Sequence, residues 1–344
     1  MESLAVKYRP KSFDQVVEQG SIKVILQQQI ANGTFQHAYL FCGPSGDGKT
    51  TLARIFANSI NKSKGNPIEI DAASHSGVND VRELAQQAKS QSLDSEYKIL
   101  IVDEAHSISL VGWQAFLKLI EEPPKKTIFI FCTTDPQKIP RTILGRVQRF
   151  DFQRISTDGI FNRLAVVVEK ENKIGANIKY ETEALEYISK LADGGMRDAL
   201  TTLDKVIAYS KDVTMENVIK ALGVVNYTIM FDLLNSLVYF NMVDCIKVVE
   251  DLYRRGLDLK QFIKLFTKFV LDVNQYNILK SFRHLDIPET EEYKKAISGY
   301  KEDYESNLVR DIMDMLVKLN SQIKWETAPK AMIESTFILY CDRG

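Results

Sequence analysis

Cysteine is scarce in this chain: four in 344 residues, Cys42, Cys132, Cys245 and Cys341, none at C-x-x-C spacing from another. That excludes a disulfide framework, and no zinc site is expected. The four read instead as small buried hydrophobes in a reducing compartment. An excess of one charge is also lacking. Basic and acidic residues number 44 and 45, for a net charge of −1. There is therefore no bulk attraction to phosphate, and any nucleic-acid contact has to come from a local patch. No run of about 18 apolar residues spans a bilayer. Met1-Glu2-Ser3-Leu4 does not begin a basic region followed by an apolar core. A cytoplasmic address with no membrane partner is the expectation. With 45% hydrophobic and 26% charged residues, the composition is that of a globular protein, long enough for two or three domains.

Up to about residue 155, short apolar runs alternate with polar helical stretches. Ala38–Cys42, Pro67–Asp71, Lys98–Asp103 and Thr127–Cys132 read as strands, and Arg149–Phe152 as a fifth. Runs of β-branched and aromatic residues without alternation suit strands covered on both faces, in a parallel sheet. Val78–Ser90 and Gly112–Glu121 are long enough for crossover helices. Beyond residue 156 the strand signal disappears. Ile160–Asn172, Thr182–Ala192, Gly195–Tyr209 and Met215–Leu222 read as short helices, with Thr182 and Thr214 as N-caps. From about 226 the helices lengthen, with apolar faces over Val238–Leu252 and Phe262–Val273. The expected boundaries lie near 155 and 224.

Gly43-Pro44-Ser45-Gly46-Asp47-Gly48-Lys49-Thr50 fits G-x-x-x-x-G-K-[ST] between an expected strand and an expected helix beginning at Thr51. In that context the pattern is a phosphate-binding loop. Glycines let backbone N–H groups converge on phosphate, and the helix N-terminus adds positive potential. Lys49 is expected to reach the β- and γ-phosphates, and the Thr50 hydroxyl to ligate Mg²⁺. Ile99–Val102 is a four-residue apolar run ending in Asp103 and Glu104. A carboxylate at the carboxyl end of a parallel strand lies beside the phosphate loop. Asp103 is expected to hold Mg²⁺ and Glu104 to polarise the attacking water. Thr133 and Thr134, ending the fourth strand, read as a polar sensor of the γ-phosphate or as a strand-end turn. His106 reads as a histidine at a helix start, with a switch role as the alternative. Arg146 and Arg197 are candidate charge stabilisers.

Several further segments resemble the gamma/tau clamp-loader subunits of bacterial DNA polymerase III, which are AAA+ ATPases. Tyr8–Val17 resembles the opening box of clamp-loader subunits, Ile68–Ser74 the second strand, and Glu121-Glu122-Pro123-Pro124 a box typical of them. Thr133–Pro140 and Thr142–Val147 resemble the sensor-1 strand and arginine-finger segment. Gly195–Leu200 resembles the sensor-2 motif of the lid. After about 224 the likeness rests on helicity and on Lys324–Ile333. Two departures stand out. Asn58–Asn66 is a short polar link where cellular members carry a four-cysteine zinc module, and the finger reads Gly145-Arg146-Val147 in place of Ser-Arg-Cys. The family's long tail is also missing. A compact or viral relative, or a shortened chain, accounts for both the short link and the missing tail.

The resemblance implies an α/β AAA+ P-loop domain with a parallel five-stranded sheet (1–155), a small helical lid (156–224) and an all-α collar (225–344). It implies a DNA-stimulated ATPase that couples ATP binding and hydrolysis to opening a sliding clamp and loading it on primer–template DNA. The assembly it implies is pentameric. ATP then contacts Gly43, Ser45, Gly46, Gly48, Lys49, Thr50, Thr51, Asp103, Thr133, Thr134 and Arg197 of one subunit, with Tyr8, Arg9 and Val17 bordering the adenine. Arg146 comes from the neighbouring subunit, and Arg82, Lys118 and Thr142 track the DNA backbone. A branch-migration or helicase-loading ATPase, or a nucleotide-binding scaffold without turnover, are the alternatives.

Overall fold

The computed structural model of the chain describes residues 2–74, 84, 94–222, 227–282, 285, 287, 291–300 and 307–342. The expected helix at Val78–Ser90 lies almost wholly outside them, as do Arg82 and the boundary near 224. By contacts, the chain forms two compact units: residues 1–178 with 188–204, and residues 179–187 with 205–344.

The first unit is built on five parallel strands, β1 (Ala38–Cys42), β2 (Ile68–Asp71), β3 (Lys98–Asp103), β4 (Thr127–Thr133) and β5 (Gln148–Asp151), in the order β2-β3-β4-β1-β5. Every residue of β1 and of β4 is buried, which is why β1 and the interior of β4, Ile128–Cys132, are unbroken apolar runs. Their side chains alternate between two cores. Tyr39, Phe41, Ile130 and Cys132 face one way, toward Leu52 and Phe56 of helix α3 (Lys49–Ile60), whose neighbour is α2 (Gly20–Asn32). Leu40, Phe129 and Phe131 face the other way, toward Trp113 and Phe116 of α4 (Leu110–Glu121). Tyr39 meets Phe56 edge-on at 5.2 Å between ring centroids, and Phe116 meets Phe131 at the same distance. Helices α1 (Leu4–Lys7), α5 (Arg141–Leu144) and α6 (Thr157–Lys173) complete the sheet domain. Serines start two of these helices. Ser109 Oγ accepts from the Gly112 N–H and Ser156 Oγ from the Gly159 N–H, satisfying amides that the helix itself leaves unpaired.

Two short strands correct the expectation of a strand-free region after 156. In the second unit β6 (Lys179–Tyr180) and β7 (Asp212–Val213) pair in parallel. At two residues each, they are too short to carry a periodicity. Helices α7 (Thr182–Leu191) and α8 (Met196–Tyr209) span the division between the units. Thr182 is the first residue of α7 rather than its cap. Thr214 does cap α9 (Met215–Leu222), its Oγ1 accepting from the Asn217 N–H at 3.2 Å.

Among the described residues, the rest of the second unit contains the helices α10 (Tyr227–Val238), α11 (Met242–Arg254), α12 (Leu259–Leu279), α13 (Glu291–Ser298), α14 (Leu308–Ile323) and α15 (Pro329–Cys341). Val238–Leu252 is therefore not one helix. The chain turns at residues 239–241, where Phe240 takes φ +52°. Phe231 of α10 and Phe269 of α12 meet edge-on at 4.8 Å. All four cysteines are free and buried. Among the described residues no single helix is long and apolar enough to cross a membrane.

Candidate functional site

Parallel pairing aligns the carboxyl ends of β1, β3 and β4, and the loops that leave them share one edge of the sheet. There, within the first unit, lies a cavity of about 440 Å³. The loop after β1 turns through Gly46 (φ +76°) and Gly48 (φ +98°) before α3 begins at Lys49. These left-handed conformations favour glycine, and they bring the loop's amides to the helix N-terminus. The loop is tied to β4 by the Gly43 N–H, which donates to the Thr133 carbonyl at 3.2 Å.

Of the residues singled out from the sequence, the cavity brings together Tyr8, Arg9, Val17, Ser45, Gly46, Gly48, Lys49, Thr50, Thr51, Asp103, Glu104, Thr134 and Arg197. Gly43 and Thr133 are not on its wall. Thr133 is 1% exposed, and its Oγ1 accepts from the Asp135 N–H at 3.0 Å. The exposed Thr134 is the hydroxyl at the cavity. Lys118 and Thr142 are exposed, away from it. Arg146 also lies off the cavity. Its guanidinium pairs with Glu121 at 2.9 Å and donates to the Thr142 carbonyl at 2.8 Å. Arg82 is outside the described residues.

Thr50 Oγ1 donates to Asp103 Oδ2 at 2.9 Å, across from the loop. A hydroxyl and a carboxylate are hard oxygen donors of the kind that Mg²⁺ takes, alongside phosphate and water. Glu104 follows in the left-handed region, at φ 47°, with its N–H on Asp103 Oδ1 at 3.1 Å. A non-glycine residue held at positive φ is uncommon and aims its side chain out of the regular strand direction. Among the described residues no group of three or more His, Cys, Asp or Glu side chains could hold a metal ion.

The Lys49 ammonium lies against its own loop. Its Nζ folds back to donate to the Gly43 carbonyl at 2.7 Å, to the Pro44 carbonyl, and to Asp47 Oδ1 at 3.1 Å. Asp47 was not singled out by the motif, because x positions carry no constraint there. It is 1% exposed, and its Oδ2 has no hydrogen-bond partner. Burial pushes the Asp47 carboxyl above its ordinary value, and Lys49 works against that shift. Two more arginines at the cavity, Arg54 and Arg163, escaped sequence reasoning. Arg54 forms a two-pronged pair with Glu69, with Nε to Oε2 at 2.6 Å. Arg163 donates to the Tyr8 carbonyl at 2.9 Å, and burial lowers its pKa. The Arg9 guanidinium is likewise lowered, first by burial and then by Arg54 and Arg197. Only tertiary packing brings these cations together; in the sequence they are scattered. The Tyr8 hydroxyl donates to Glu171 at 2.7 Å, and burial followed by that carboxylate pushes its pKa up to about 12.

The cavity thus offers an anion cradle, a pair of oxygens suited to a cation, a half-buried carboxylate and a rim of arginines. That combination suits binding a polyphosphate and moving water onto its terminal phosphorus.

Comparison with known proteins supplies family matches over three consecutive segments. The family described as DNA polymerase III, delta subunit, matches residues 66–156. DNA polymerase III clamp loader subunit, ATPase lid domain, matches residues 159–212. DNA polymerase III subunits gamma and tau domain III matches residues 213–341. The chain is 33% identical to DNA polymerase III subunit tau of Bacillus subtilis over 356 residues, covering 97% of this chain and 62% of that protein. It is 33% identical to subunit gamma/tau of Mycoplasma genitalium, covering 82% and 50%, so it spans about half to three fifths of these two relatives. Against subunit gamma of Buchnera aphidicola the identity is 31%, covering 90% of this chain and 87% of that protein. Among solved structures, the Thermotoga maritima RuvB Holliday junction branch migration motor superposes with a TM-score of 0.53 at 18% identity, over 73% of this chain and 86% of that one. At that identity the likeness is one of fold, the AAA+ fold of a parallel five-stranded sheet with helices.

Proposed function

The chain belongs to the gamma/tau family of DNA polymerase III clamp-loader subunits, and we propose that it is the ATP-driven motor subunit of a sliding-clamp loader, binding and hydrolysing ATP to open a clamp and load it on primer–template DNA in replication. The observation that carries the reading is the meeting of Lys49, Thr50, Asp103 and Glu104 on one cavity wall.

In this reading Lys49 leaves its loop carbonyls for the β- and γ-phosphates. Thr50 and Asp103 hold Mg²⁺, whose charge neutralises the phosphate oxygens. Glu104 takes a proton from water as the water oxygen bonds to the γ-phosphorus, and the bond from that phosphorus to the β,γ-bridging oxygen breaks. Gly43 and Thr133 shape the loop from behind, while Ser45, Gly46, Gly48, Thr51 and Thr134 border the phosphates. Arg197 reports bound nucleotide from α8, and Tyr8, Arg9 and Val17 border the base. Arg146 serves the site of a neighbouring subunit in a pentamer, which makes turnover depend on a closed interface. Its exposure and its position off this chain's own cavity support that role. Lys118 and Thr142, with Arg82, contact DNA phosphates. The proposed division is a core at 1–155, a lid at 156–224 and a collar at 225–344. No zinc is expected.

The test is steady-state ATPase with and without primed DNA and a cognate clamp. Stimulation by both together supports the loader. Stimulation by DNA alone favours a different DNA motor, and a flat background favours a scaffold.

A further inference from the structure

We propose that His106 is a positioning residue for Glu104: its Nδ1 carries the ring proton and holds the Glu104 carboxylate in place, while Thr133 holds the ring. The inference deepens the reading of Glu104 as general base and rests on it.

Three observations on the first unit carry it. First, His106 Nδ1 stands 3.3 Å from Glu104 Oε2 and 3.2 Å from Thr133 Oγ1. One ring nitrogen therefore lies within 3.3 Å of two oxygens from different strand ends, hydrogen-bonded to the threonine and in ion-contact range of the carboxylate without being aligned on it. Second, Glu104 Oε2 is buried and has no hydrogen-bond partner, although its side chain as a whole is 42% exposed. The oxygen nearest the ring is thus shut off from solvent, while the rest of the carboxylate is open. Third, the other oxygen beside Nδ1 is fixed. Thr133 is 1% exposed at the end of β4, its hydroxyl takes the Asp135 N–H, and its carbonyl takes the Gly43 N–H of the phosphate loop.

The proton follows from this geometry. An ionised carboxylate only accepts hydrogen bonds. A bare lone pair on Nδ1 facing Oε2 would repel it and leave a buried carboxylate oxygen unpaired, which is costly. A proton on Nδ1 makes both contacts attractive, as a hydrogen bond to Thr133 Oγ1 at 3.2 Å and as a charge–dipole contact with Glu104 Oε2 at 3.3 Å that a small turn of the carboxylate brings into line. Thr133 Oγ1 then fills its two lone pairs, one from Asp135 and one from His106. Glu104 needs such a tie because its left-handed backbone (φ 47°) sets only the direction of departure, and its carboxylate has several rotatable bonds beyond it. The phosphate loop, Thr133, His106 and Glu104 thereby form one connected chain, and Thr134, the next residue after Thr133, lies on the cavity wall. Nucleotide contact at the loop or at Thr134 is felt at the base through the ring.

Two measurements test this on the full chain. The first is the ¹⁵N–¹H correlation of the imidazoles, of which the chain has four, assigned by His106→Asn. The expected result is a His106 ring protonated at Nδ1 in the wild type, reverting to the Nε2–H form in Glu104→Ala. A ring protonated only at Nε2 in the wild type overturns the proposal, whatever the ATPase shows. The second is ATPase kinetics of His106→Ala, His106→Gln and His106→Asn, with ATP affinity and melting temperature measured alongside. An Asn amide nitrogen overlays Nδ1, whereas a Gln amide overlays Nε2. Ala and Gln are expected to lower kcat roughly tenfold, a part of the roughly 10²–10⁴-fold that a positioned general base contributes, with ATP affinity and melting temperature held; Asn is expected to recover most of the rate. Equal kcat in all four proteins, or losses in affinity and melting temperature that match the loss in rate, overturn it. A wild type that hydrolyses no ATP defeats the motor reading instead and leaves the tautomer measurement to decide the His106 contact.

Discussion

Gly46 and Gly195 touch backbone to backbone. A β-carbon built on Gly46 would stand 2.9 Å from the Gly195 Cα, and the Met196 N–H donates to the Gly46 carbonyl at 3.0 Å. The phosphate loop and the start of α8, which carries Arg197, are therefore joined without an intervening side chain. Gly46→Ala must both hold φ +76° and displace that backbone. The variant is expected to lose about 1–3 kcal/mol of stability and to bind ATP more weakly. Thermal melts with and without nucleotide check this; an unchanged melt would show that the two glycines part at no cost.

Lys49 and Arg146 are expected to fail differently. Lys49→Ala removes the cradle's cation and should abolish nucleotide binding. Arg146→Ala should leave binding intact while lowering turnover in the assembled complex by roughly 10³-fold, as for an arginine supplied in trans. Because its pair with Glu121 is exposed on both sides, its loss should move stability by no more than about 1 kcal/mol. Nucleotide titration, ATPase and melting of the two variants separate these outcomes; loss of binding in Arg146→Ala contradicts the trans role.

Asp47 occupies Lys49 within the loop. Its carboxylate holds both the Nζ and the N–H of Lys49 at 3.1 Å. Asp47→Asn keeps the shape and the loop hydrogen bond but removes the charge. ATP affinity is expected to rise by up to about tenfold, or about 1.4 kcal/mol, as read by calorimetric titration. A weaker affinity would mean that Asp47 organises the loop more than it restrains the lysine.

Tyr8 gives a pH signature. Its phenol is pushed up to about 12 from 10.0, by burial first and then by Glu171. The folded state therefore favours the protonated phenol. The resulting stability is fully present below pH 10 and is lost as the pH rises toward 12. Tyr8→Phe should be the less stable protein at pH 8, and the gap between the two should narrow by pH 11. Denaturant unfolding at both values measures it; a gap that stays constant would show that the Tyr8–Glu171 hydrogen bond does not depend on the phenol proton.

How much of this was legible beforehand depends on range. The β1 and β4 sequences announce themselves because both faces of each strand are covered, so β1 and the interior of β4 are uninterrupted apolar runs. The phosphate loop is legible because two glycines at positive φ, a lysine and a threonine lie in one short stretch. Arg54, Arg163 and Arg9 could not be read as neighbours, since they come from α3, α6 and the segment after α1. Likewise β6 and β7 were invisible: two residues each hold no period. The turn at residues 239–241 was missed because apolar spacing continues across it from α10 into α11.

The sequence alone determined the parallel sheet, the phosphate loop and the carboxylates at the end of β3, because each is a local matter of side-chain burial or backbone freedom within a few consecutive residues. Only the tertiary structure decided that Lys49 folds back onto Asp47, that Thr134 rather than Thr133 borders the cavity, and that His106 stands between Glu104 and Thr133. The first is a contact within one loop and the others join the ends of β3 and β4, but in each case burial and the pairing of polar atoms select one arrangement from many that the same residues would otherwise permit.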